Sequence, residues 1–180
     1  MVPWANGLGT TAVIVRVPDI EAWTWRLSLA DVVVDGPFSP LPGVDRWIAV
    51  ASGGGMVLTV GDDSPVDLRA GPDAFFFSGD LATTCRLIDG PIVDVNLMLR
   101  RGAAVGRLSI VTSAAGTRCP LEGVVAAVML AGSATWSSET LSERDALVGI
   151  ERDDLTGDVD AVTDCRLAII HVEMAEPASM

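Results

Sequence analysis

Residues 35–51, DGPFSPLPGVDRWIAVA, join a turn-rich segment to an apolar β-strand. Three prolines and two glycines stiffen the segment and are typical of a surface loop. Arg46 lies where the loop gives way to the strand, and a guanidinium held at such a junction can bind a carboxylate through two hydrogen bonds. The sequence therefore makes Arg46 the first candidate for a ligand contact.

The same alternation of turn signals and short β-rich runs continues along the chain, from TTAVIVRV at residues 10–17 to DCRLAIIHVEM at residues 164–174. No segment combines a helical period with capping signals. The spacing of the runs predicts an all-β sandwich or barrel. A length of 180 residues with 49% hydrophobic content is enough for one compact unit with a well-buried core.

A short internal repeat relates the two halves of the chain. Five residues of the first half recur in the second half at a constant offset of 80 positions. They are Asp80, Thr83, Cys85, Arg86 and Leu87, which match Asp160, Thr163, Cys165, Arg166 and Leu167. Chance and a genuine duplication both explain so short a match, and a duplication would give two similar β-barrels.

Two runs in the first half alternate apolar and polar side chains with the two-residue period of a strand. In TWRLSLA, Arg26 and Ser28 lie opposite the tryptophan and the leucines, and in VDVNLMLR, Asp94 and Asn96 share one face. Either these faces are the solvated side of an antiparallel sheet, or they line a barrel mouth and orient a small ligand. Because all four phenylalanines and four of the five tryptophans lie in residues 1–77, we expect any pocket in the first half.

Composition excludes several classes of function. A net charge of -12 repels phosphate backbones and anionic lipids, so we expect neither nucleic acid nor a membrane as a partner. All 12 basic residues are arginines, which excludes Schiff-base chemistry and the lysine of a Walker loop. The first residues lack a basic region followed by an apolar stretch, so we expect a cytoplasmic protein.

The residue types also argue against a metal or cofactor. His171 is the only histidine, so the chain cannot supply the histidine cluster of a cupin metal centre, a Ser-His-Asp triad or a Cys-His dyad. The three cysteines, Cys85, Cys119 and Cys165, have no CxxC spacing, which indicates neither a disulfide framework nor a structural zinc site. The sequence predicts no metal, no cofactor and no catalytic residue of these kinds.

Five motifs together resemble the HutD/Ves family in their order and spacing. They are PWANGLGTT at residues 3–11, WRLS at 25–28, DGPFSPLPGVDR at 35–46, FFFSGD at 75–80 and DVNLMLRRG at 94–102. The resemblance implies a bicupin, which is two cupin-like β-barrel halves in one chain, without the usual cupin metal ligands. The N-terminal half, residues 1–101, would hold the ligand pocket, and residues 102–180 would form the C-terminal half.

The resemblance also implies a function and a set of site residues. The family is associated with histidine utilisation, where its members are thought to bind a small carboxylate such as N-formylglutamate and to limit pathway expression rather than catalyse a step. By position, the ligand-binding residues would be Asn6, Trp25, Arg26, Ser28, Phe38, Arg46 and Asn96. Asp45 and Asp94 would hold the arginines in place through charge-assisted hydrogen bonds.

The chain departs from the family pattern near its start. Ala5 and Leu8 stand where the family usually has a lysine and a glycine, which removes one cation and narrows the turn. We therefore expect affinity or ligand choice to differ from that of relatives. Family members also tend to carry a further strand before the PW motif, so either the start is truncated or an edge strand is absent.

Two other functions remain open. A metal-independent enzyme acting on an amino-acid or sugar derivative would use Asp94 or Asp45 as general base, and that carboxyl would have a strongly raised pKa. A structural or interaction module would leave the polar faces solvated and would have no concave pocket around Arg46. The sheet edges and apolar faces of a bicupin are also compatible with a homodimer.

Overall fold

The computed structural model describes residues 2–3, 9–149 and 155–175. In these residues the regular secondary structure is β, and the described part contains no α-helix. The prediction of an all-β protein is therefore confirmed. The same residues contain no helix that is long and apolar enough to cross a membrane.

The chain forms two compact units, Met1–Gly106 with Glu173–Met180, and Arg107–Val172. The strands of the first unit are β1 (Val2–Pro3), β2 (Gly9–Val17), β3 (Trp25–Val32), β4 (Gly36–Phe38), β5 (Val44–Ser52), β6 (Met56–Val60), β7 (Val66–Leu68), β8 (Phe75–Ser78), β9 (Thr83–Leu87) and β10 (Ile92–Arg100). They pair in a six-stranded sheet, in the order β1-β2-β3-β10-β5-β8, and a four-stranded sheet, in the order β4-β9-β6-β7.

Residues of both sheets form an apolar core in the first unit. Its buried members are Val32, Phe38, Ile48, Val50, Met56, Leu58, Val60, Leu68, Phe77, Cys85 and Ile92. Strand β6 shows why these residues are buried, because Met56, Leu58 and Val60 alternate with the half-buried Val57 and Thr59. The core therefore follows from the two-residue period of the strands.

The remaining strands begin at residue 104. They are β11 (Ala104–Ser113), β12 (Arg118–Pro120), β13 (Ala126–Ala131), β14 (Ala134–Trp136), β15 (Glu139–Leu141), β16 (Ala146–Val148), β17 (Asp158–Ala161) and β18 (Cys165–Met174). They form two four-stranded sheets, in the orders β11-β18-β13-β16 and β12-β17-β14-β15. Adding eight to each strand number converts β3-β10-β5-β8 and β4-β9-β6-β7 into these orders. The strand topology of the first unit is thus repeated in the second half of the chain.

The five-residue match at an offset of 80 is not the trace of this repeat. It aligns β9 with residues 163–167, which reach the start of β18, whereas the topology makes β17 the equivalent of β9. Alternating β-strands share composition, so short matches between non-equivalent strands arise readily. The repeat of topology is visible in the strand order and not in those five residues.

The interior of the second unit is apolar. On β13 and β18, Ala127 pairs with Ile169 and Met129 pairs with Leu167, and all four belong to a buried hydrophobic cluster. Their equivalents in the first unit are the inward residues of β5 and β10, several of which are polar. The two units therefore share a topology but differ in the chemistry of their interiors.

Candidate functional site

A cavity of about 440 Å³ opens within the first unit. Its lining residues come from β2, β3, β4, β5, β10 and the loop that follows β4. They are Thr11, Val13, Arg16, Arg26, Ser28, Ala30, Phe38, Ser39, Leu41, Arg46, Asp94, Asn96 and Met98. A purely structural module would have no concave pocket around Arg46, so this cavity argues against that hypothesis. The polar faces of β3 and β10 line this cavity and are not the solvated side of a sheet.

Strand register arranges the sheet face that carries the cavity wall in three rows that run across β2, β3, β10 and β5. The first row is Arg16, Arg26, Met98 and Arg46; the second is Val13, Ser28, Asn96 and Ile48; the third is Thr11, Ala30, Asp94 and Val50. Directly opposed residues have Cβ atoms roughly 5 Å apart. Three guanidinium groups therefore share one row of the wall.

A register shift in β2 brings Arg16 into that row. The pairing of β2 with β3 shifts between Val13 and Val15, so that Val13 opposes Ser28 and Arg16 opposes Arg26. In a regular strand, residues three apart would point to opposite faces. The extra residue at this β-bulge turns Arg16 to the cavity face. Sequence reasoning missed Arg16 because period-two alternation places it with the outward residues.

Arg46 is the most enclosed of the three arginines, with 5% of its surface exposed. Its Cζ atom lies 5.2 Å from the ring centroid of Phe38 and 4.9 Å from that of Phe77. Its Nη2 donates a 2.8 Å hydrogen bond to Oδ1 of Asn96, whereas its Nε is buried without a partner among the described residues. Burial lowers the pKa of Arg46 to about 10, and Asp94 partly opposes that change. The group remains a cation at neutral pH with an unused donor.

Asp94 lies in the row farthest from the arginines and is fully buried. Its Oδ1 accepts a short hydrogen bond from Nδ2 of Asn96, and its Oδ2 has no partner among the described residues. Burial raises the pKa of Asp94 to about 7, against the opposing effects of Arg46 and the Asn96 hydrogen bond. Asn96 therefore connects a buried cation to a carboxyl group that is partly protonated near neutral pH.

Arg26 adds a second unused donor to the cavity. Its Nη2 donates to the Met98 sulfur at 2.9 Å, its Cζ lies 5.5 Å from the Trp23 ring centroid, and its Nε is buried without a partner in the described part of the chain. Burial, and secondarily Arg16, lower the pKa of Arg26. Arg16 itself pairs with Asp19 at 2.7 Å. The cavity is cationic in a chain whose net charge is -12.

A network outside the cavity fixes the loop that leads to Arg46. Arg101 donates to Oδ1 of Asp45 at 2.7 and 3.1 Å, to Oδ2 of Asp80 at 2.8 Å and to Oγ of Ser78 at 3.0 Å. Asp80 also accepts a 2.7 Å hydrogen bond from the backbone N–H of Gly43. We call these residues, Gly43, Asp45, Ser78, Asp80 and Arg101, the loop clamp. The clamp joins three of the five sequence motifs.

The backbone of Gly79 completes this arrangement. Its N–H donates to the carbonyl of Val44 at 2.7 Å, and its carbonyl accepts from the N–H of Leu41 at 2.8 Å. A Cβ atom at position 79 would lie 2.8 Å from both the Leu41 and the Val44 carbonyl oxygens. Glycine is therefore required for the loop to approach the end of β8 so closely.

The structure brings together most of the predicted site residues. Arg26, Ser28, Phe38, Arg46, Asp94 and Asn96 all line the cavity. Trp25 does not, because strand alternation turns it to the opposite face of β3, and Asp45 pairs with Arg101 instead of a cavity arginine. Asn6, Ala5 and Leu8 lie outside the described residues. The clamp residues Ser78, Asp80 and Arg101 lie within the quoted motifs but were not singled out.

No group of three His, Cys, Asp or Glu side chains that could hold a metal ion occurs among the described residues. The thiol of Cys85 contacts the Met56 sulfur at 3.7 Å, and burial raises its pKa to about 12, so it is an inert core residue. The chemistry available in the cavity is therefore that of guanidinium, amide, hydroxyl and carboxyl groups.

Comparison of the sequence with known families and proteins gives one consistent result. The sequence profile of the HutD family matches residues 1–167. An uncharacterised 21.2 kDa protein from the hutC 3′ region of Pseudomonas putida is 42% identical over 98 residues, which are 53% of this chain and 51% of that protein. Protein Ves of Cronobacter sakazakii is 34% identical over 99 residues, 54% of each chain. These alignments span about half the length of the curated relatives.

Solved structures agree over nearly the whole chain. HutD from Pseudomonas fluorescens SBW25, determined in a formate condition, is 32% identical with a TM-score of 0.76, covering 96% of this chain and 93% of that one. A conserved protein of unknown function from Pseudomonas aeruginosa PAO1 is 28% identical with a TM-score of 0.80 and the same coverages. A cupin 2 conserved barrel protein from Leptotrichia buccalis, 12% identical with a TM-score of 0.60 over 92% of this chain and 89% of that one, shares the fold. The cupin-like fold is confirmed.

Proposed function

This chain belongs to the HutD family, and we propose that it binds a small carboxylate metabolite in the cavity of its first unit without transforming it. The observation that carries the proposal is the buried Nε–H of Arg46, a charged donor that has no partner among the described residues. Leaving such a donor unpaired costs about 1–3 kcal/mol or more, and a ligand carboxylate would remove that cost. The rings of Phe38 and Phe77, which both contact the guanidinium, hold it ready for that carboxylate.

Arg26 supports a ligand with a second anionic group. Its Nε–H is also buried and unpartnered, and Arg26 and Arg46 flank Met98 in the same row of the wall. A dicarboxylate could use one guanidinium at each end, while Ser28 and Asn96 orient the polar atoms between them. N-formylglutamate has this chemistry, and it belongs to the histidine-utilisation pathway with which the resemblance associates the family. A relative encoded near hutC and a HutD determined in a formate condition are consistent with that choice.

We infer a regulatory role in histidine utilisation from the same family association. A binding protein of this kind would respond to the pathway metabolite and limit expression of the pathway. The cationic cavity supplies recognition.

The test is thermal unfolding with formate, acetate and N-formylglutamate, using sodium chloride at equal ionic strength as the reference. A ligand at a hundred times its Kd stabilises the folded state by about 2.7 kcal/mol, so the melting temperature should rise with ligand concentration. Arg46→Met, which keeps the volume and removes the charge, should abolish the rise. Arg118→Met is the matched control, because Arg118 is exposed and pairs with Asp158 and Asp160. No rise with any of the three acids would contradict the proposal.

A second candidate is a metal-independent enzyme with Asp94 as general base. The raised pKa of Asp94, about 7, is what such a base requires. The enzyme would abstract a proton from a carbon or heteroatom of an amino-acid or sugar derivative. It predicts that the purified protein exchanges a substrate C–H for deuterium in D₂O and that Asp94→Asn stops the exchange. Unchanged proton NMR spectra of histidine-pathway intermediates would exclude this candidate for those compounds.

A further inference from the structure

The cation and the carboxyl group of the cavity are connected through an amide and form no direct ion pair. Arg46 donates to Oδ1 of Asn96, and Nδ2 of Asn96 donates to Oδ1 of Asp94. Nε of Arg46 and Oδ2 of Asp94 are buried without a partner among the described residues, as is Nε of Arg26, and all three residues line the cavity. Arg46 Nε and Asp94 Oδ2 are closed to solvent, so a ligand meets them only when the side chains around them move.

The two atoms differ in what they can offer a carboxylate. Nε–H of Arg46 is a donor in every state, but an ionised Oδ2 of Asp94 is only an acceptor and would repel a ligand carboxylate. A protonated Oδ2–H is a donor, as strong as those of an oxyanion-binding site. The protonation state of Asp94 Oδ2 therefore decides whether the cavity accepts a ligand carboxylate next to this atom.

The surroundings of Asp94 favour the neutral form. The titratable groups that interact electrostatically with it are the Arg46 guanidinium from β5, the Asp31 carboxylate from β3 and the Cys85 thiol from β9. Of these, only Arg46 favours the ionised form, and it contacts Asp94 through Asn96. Burial is the largest effect and, with a smaller contribution from Asp31, raises the pKa to about 7 against the opposing effects of Arg46 and the Asn96 hydrogen bond. A ligand carboxylate would add a second like charge beside Asp94 and would raise the pKa again.

We propose that Asp94 is a specificity-determining residue that binds the ligand as a neutral acid, donating Oδ2–H to a ligand carboxylate beside Nε–H of Arg46, so that Asp94 takes up one proton from solvent for each ligand molecule bound at a pH where the free carboxyl is ionised. The inference rests on the proposed function, because it needs a carboxylate ligand in this cavity. The proton moves from solvent to Asp94 Oδ2, and no covalent bond of the ligand changes. The guanidinium then neutralises the ligand charge, and the site selects anions that accept a hydrogen bond well.

The proposal predicts how affinity depends on pH. Below the pKa of free Asp94 the carboxyl is already protonated, so affinity is constant; above it, affinity falls about tenfold per pH unit. The ligand carboxylates stay ionised throughout this range, since their pKa values lie near 4. In Asp94→Asn the amide supplies a permanent donor of similar shape, so affinity should be the same at about pH 6 and about pH 8.5.

Calorimetric titration of the whole chain with N-formylglutamate, and separately with formate, tests this prediction. Titrations at about pH 8.5 in two buffers of different ionisation enthalpy should give an uptake of close to one proton per ligand in the wild type and none in Asp94→Asn. Unchanged wild-type affinity from about pH 6 to 8.5, with no proton uptake, overturns the inference but leaves the proposed function standing. Absence of binding by both probes at about pH 6 overturns the proposed function and the inference with it.

Infrared difference spectroscopy keeps the proposal testable if Asp94→Asn does not fold. Ligand binding to the wild type above neutral pH should produce the C=O stretching band of a protonated carboxyl group, and Asp31→Asn should retain that band. A wild-type difference spectrum with bound ligand and no such band would overturn the assignment of the proton to Asp94.

Discussion

The side chain of Arg46 donates a 2.8 Å hydrogen bond to Asn96, a residue 50 positions away in sequence, within the interior of the first unit. The two residues lie on neighbouring strands, β5 and β10, in adjacent rows of the cavity wall. Asn96 is 3% exposed and uses its carbonyl for Arg46 and its amino group for Asp94. The amide thus satisfies a buried cation and a buried carboxyl at the same time.

Asn96→Leu should destabilise the fold by about 2–4 kcal/mol, because Nη2 of Arg46 and Oδ1 of Asp94 each lose their partner in a buried site. Urea unfolding gives the free energy directly. Leu97→Met on the opposite face of β10 is the control, and a volume-conserving change there should cost less than about 1.5 kcal/mol. Equal stability of Asn96→Leu and wild type would mean that the hydrogen-bonded chain contributes little.

Asp94 should make the wild type less stable as pH rises from about 4 to about 7. Its pKa is raised from 3.8 to about 7 on folding, so the folded state binds more protons in that interval. The free energy of unfolding then falls by up to about 1.4 kcal/mol per pH unit and levels off above the folded pKa. The lowered pKa of Asp80, about 2, acts with the opposite sign and only below about pH 4.

Urea unfolding of wild type and Asp94→Asn across this interval isolates the contribution of Asp94. The variant carries no titrating group at position 94, so the difference between the two curves should grow with pH and then stay constant. Parallel curves between about pH 4 and 7 would show that the pKa of Asp94 is not raised in the folded state.

Loss of the loop clamp should weaken carboxylate binding even though Arg101 does not line the cavity. Arg101→Met removes the hydrogen bonds to Asp45, Asp80 and Ser78, so the loop before Arg46 loses its anchor. We expect a several-fold rise in Kd for N-formylglutamate, a lower melting temperature and a smaller dependence of that temperature on salt.

Arg69→Met is the matched control for Arg101→Met. Arg69 is an exposed arginine that pairs with Asp67 and with the carbonyl of Gly54, away from the loop that leads to Arg46. Its loss should leave Kd unchanged. If both variants bind as the wild type does, the clamp has no part in positioning Arg46.

Gly79→Ala should destabilise the protein by about 1–3 kcal/mol, because the new methyl group meets two carbonyl oxygens at 2.8 Å and the loop must move. The same movement should reduce affinity for carboxylates. Gly71→Ala is the control, since its new Cβ would meet nothing closer than 3.8 Å and the substitution stiffens the unfolded chain. Chemical unfolding of both variants would reveal the contrast, and a neutral Gly79→Ala would show that the loop yields easily.

The two-residue period of the strands was enough to predict many of the residues that line the cavity. The alternation in β3 and β10 placed Arg26, Ser28, Asp94 and Asn96 on the faces that line the cavity, because strand geometry depends on near neighbours alone. Arg46 was predicted from a different local signal, the proline- and glycine-rich loop that precedes its strand. The residues that line a cavity on regular strands are thus readable from the sequence.

Long-range pairings and irregular backbone could not be read in that way. The bulge that turns Arg16 inward leaves no sequence signal, and the partner of Asp45 is Arg101, 56 residues away. Trp25 was assigned to the pocket by its place in a motif, but its strand face excludes it. Strand register and long-range side-chain pairing depend on the whole sheet. A sequence motif therefore shows where a site lies in the chain but not which of its side chains point into the cavity.

The two phenyl rings beside Arg46 have a consequence for the thermodynamics of binding. A long, flexible side chain ordinarily loses rotamer freedom when it grips a ligand, at a cost of about 0.5–1.5 kcal/mol. Phe38 and Phe77 impose that loss at the moment of folding, because they confine the guanidinium whether or not a ligand is present. If the cavity binds a carboxylate as proposed, pre-organisation of this kind leaves little loss of Arg46 side-chain entropy to the binding step.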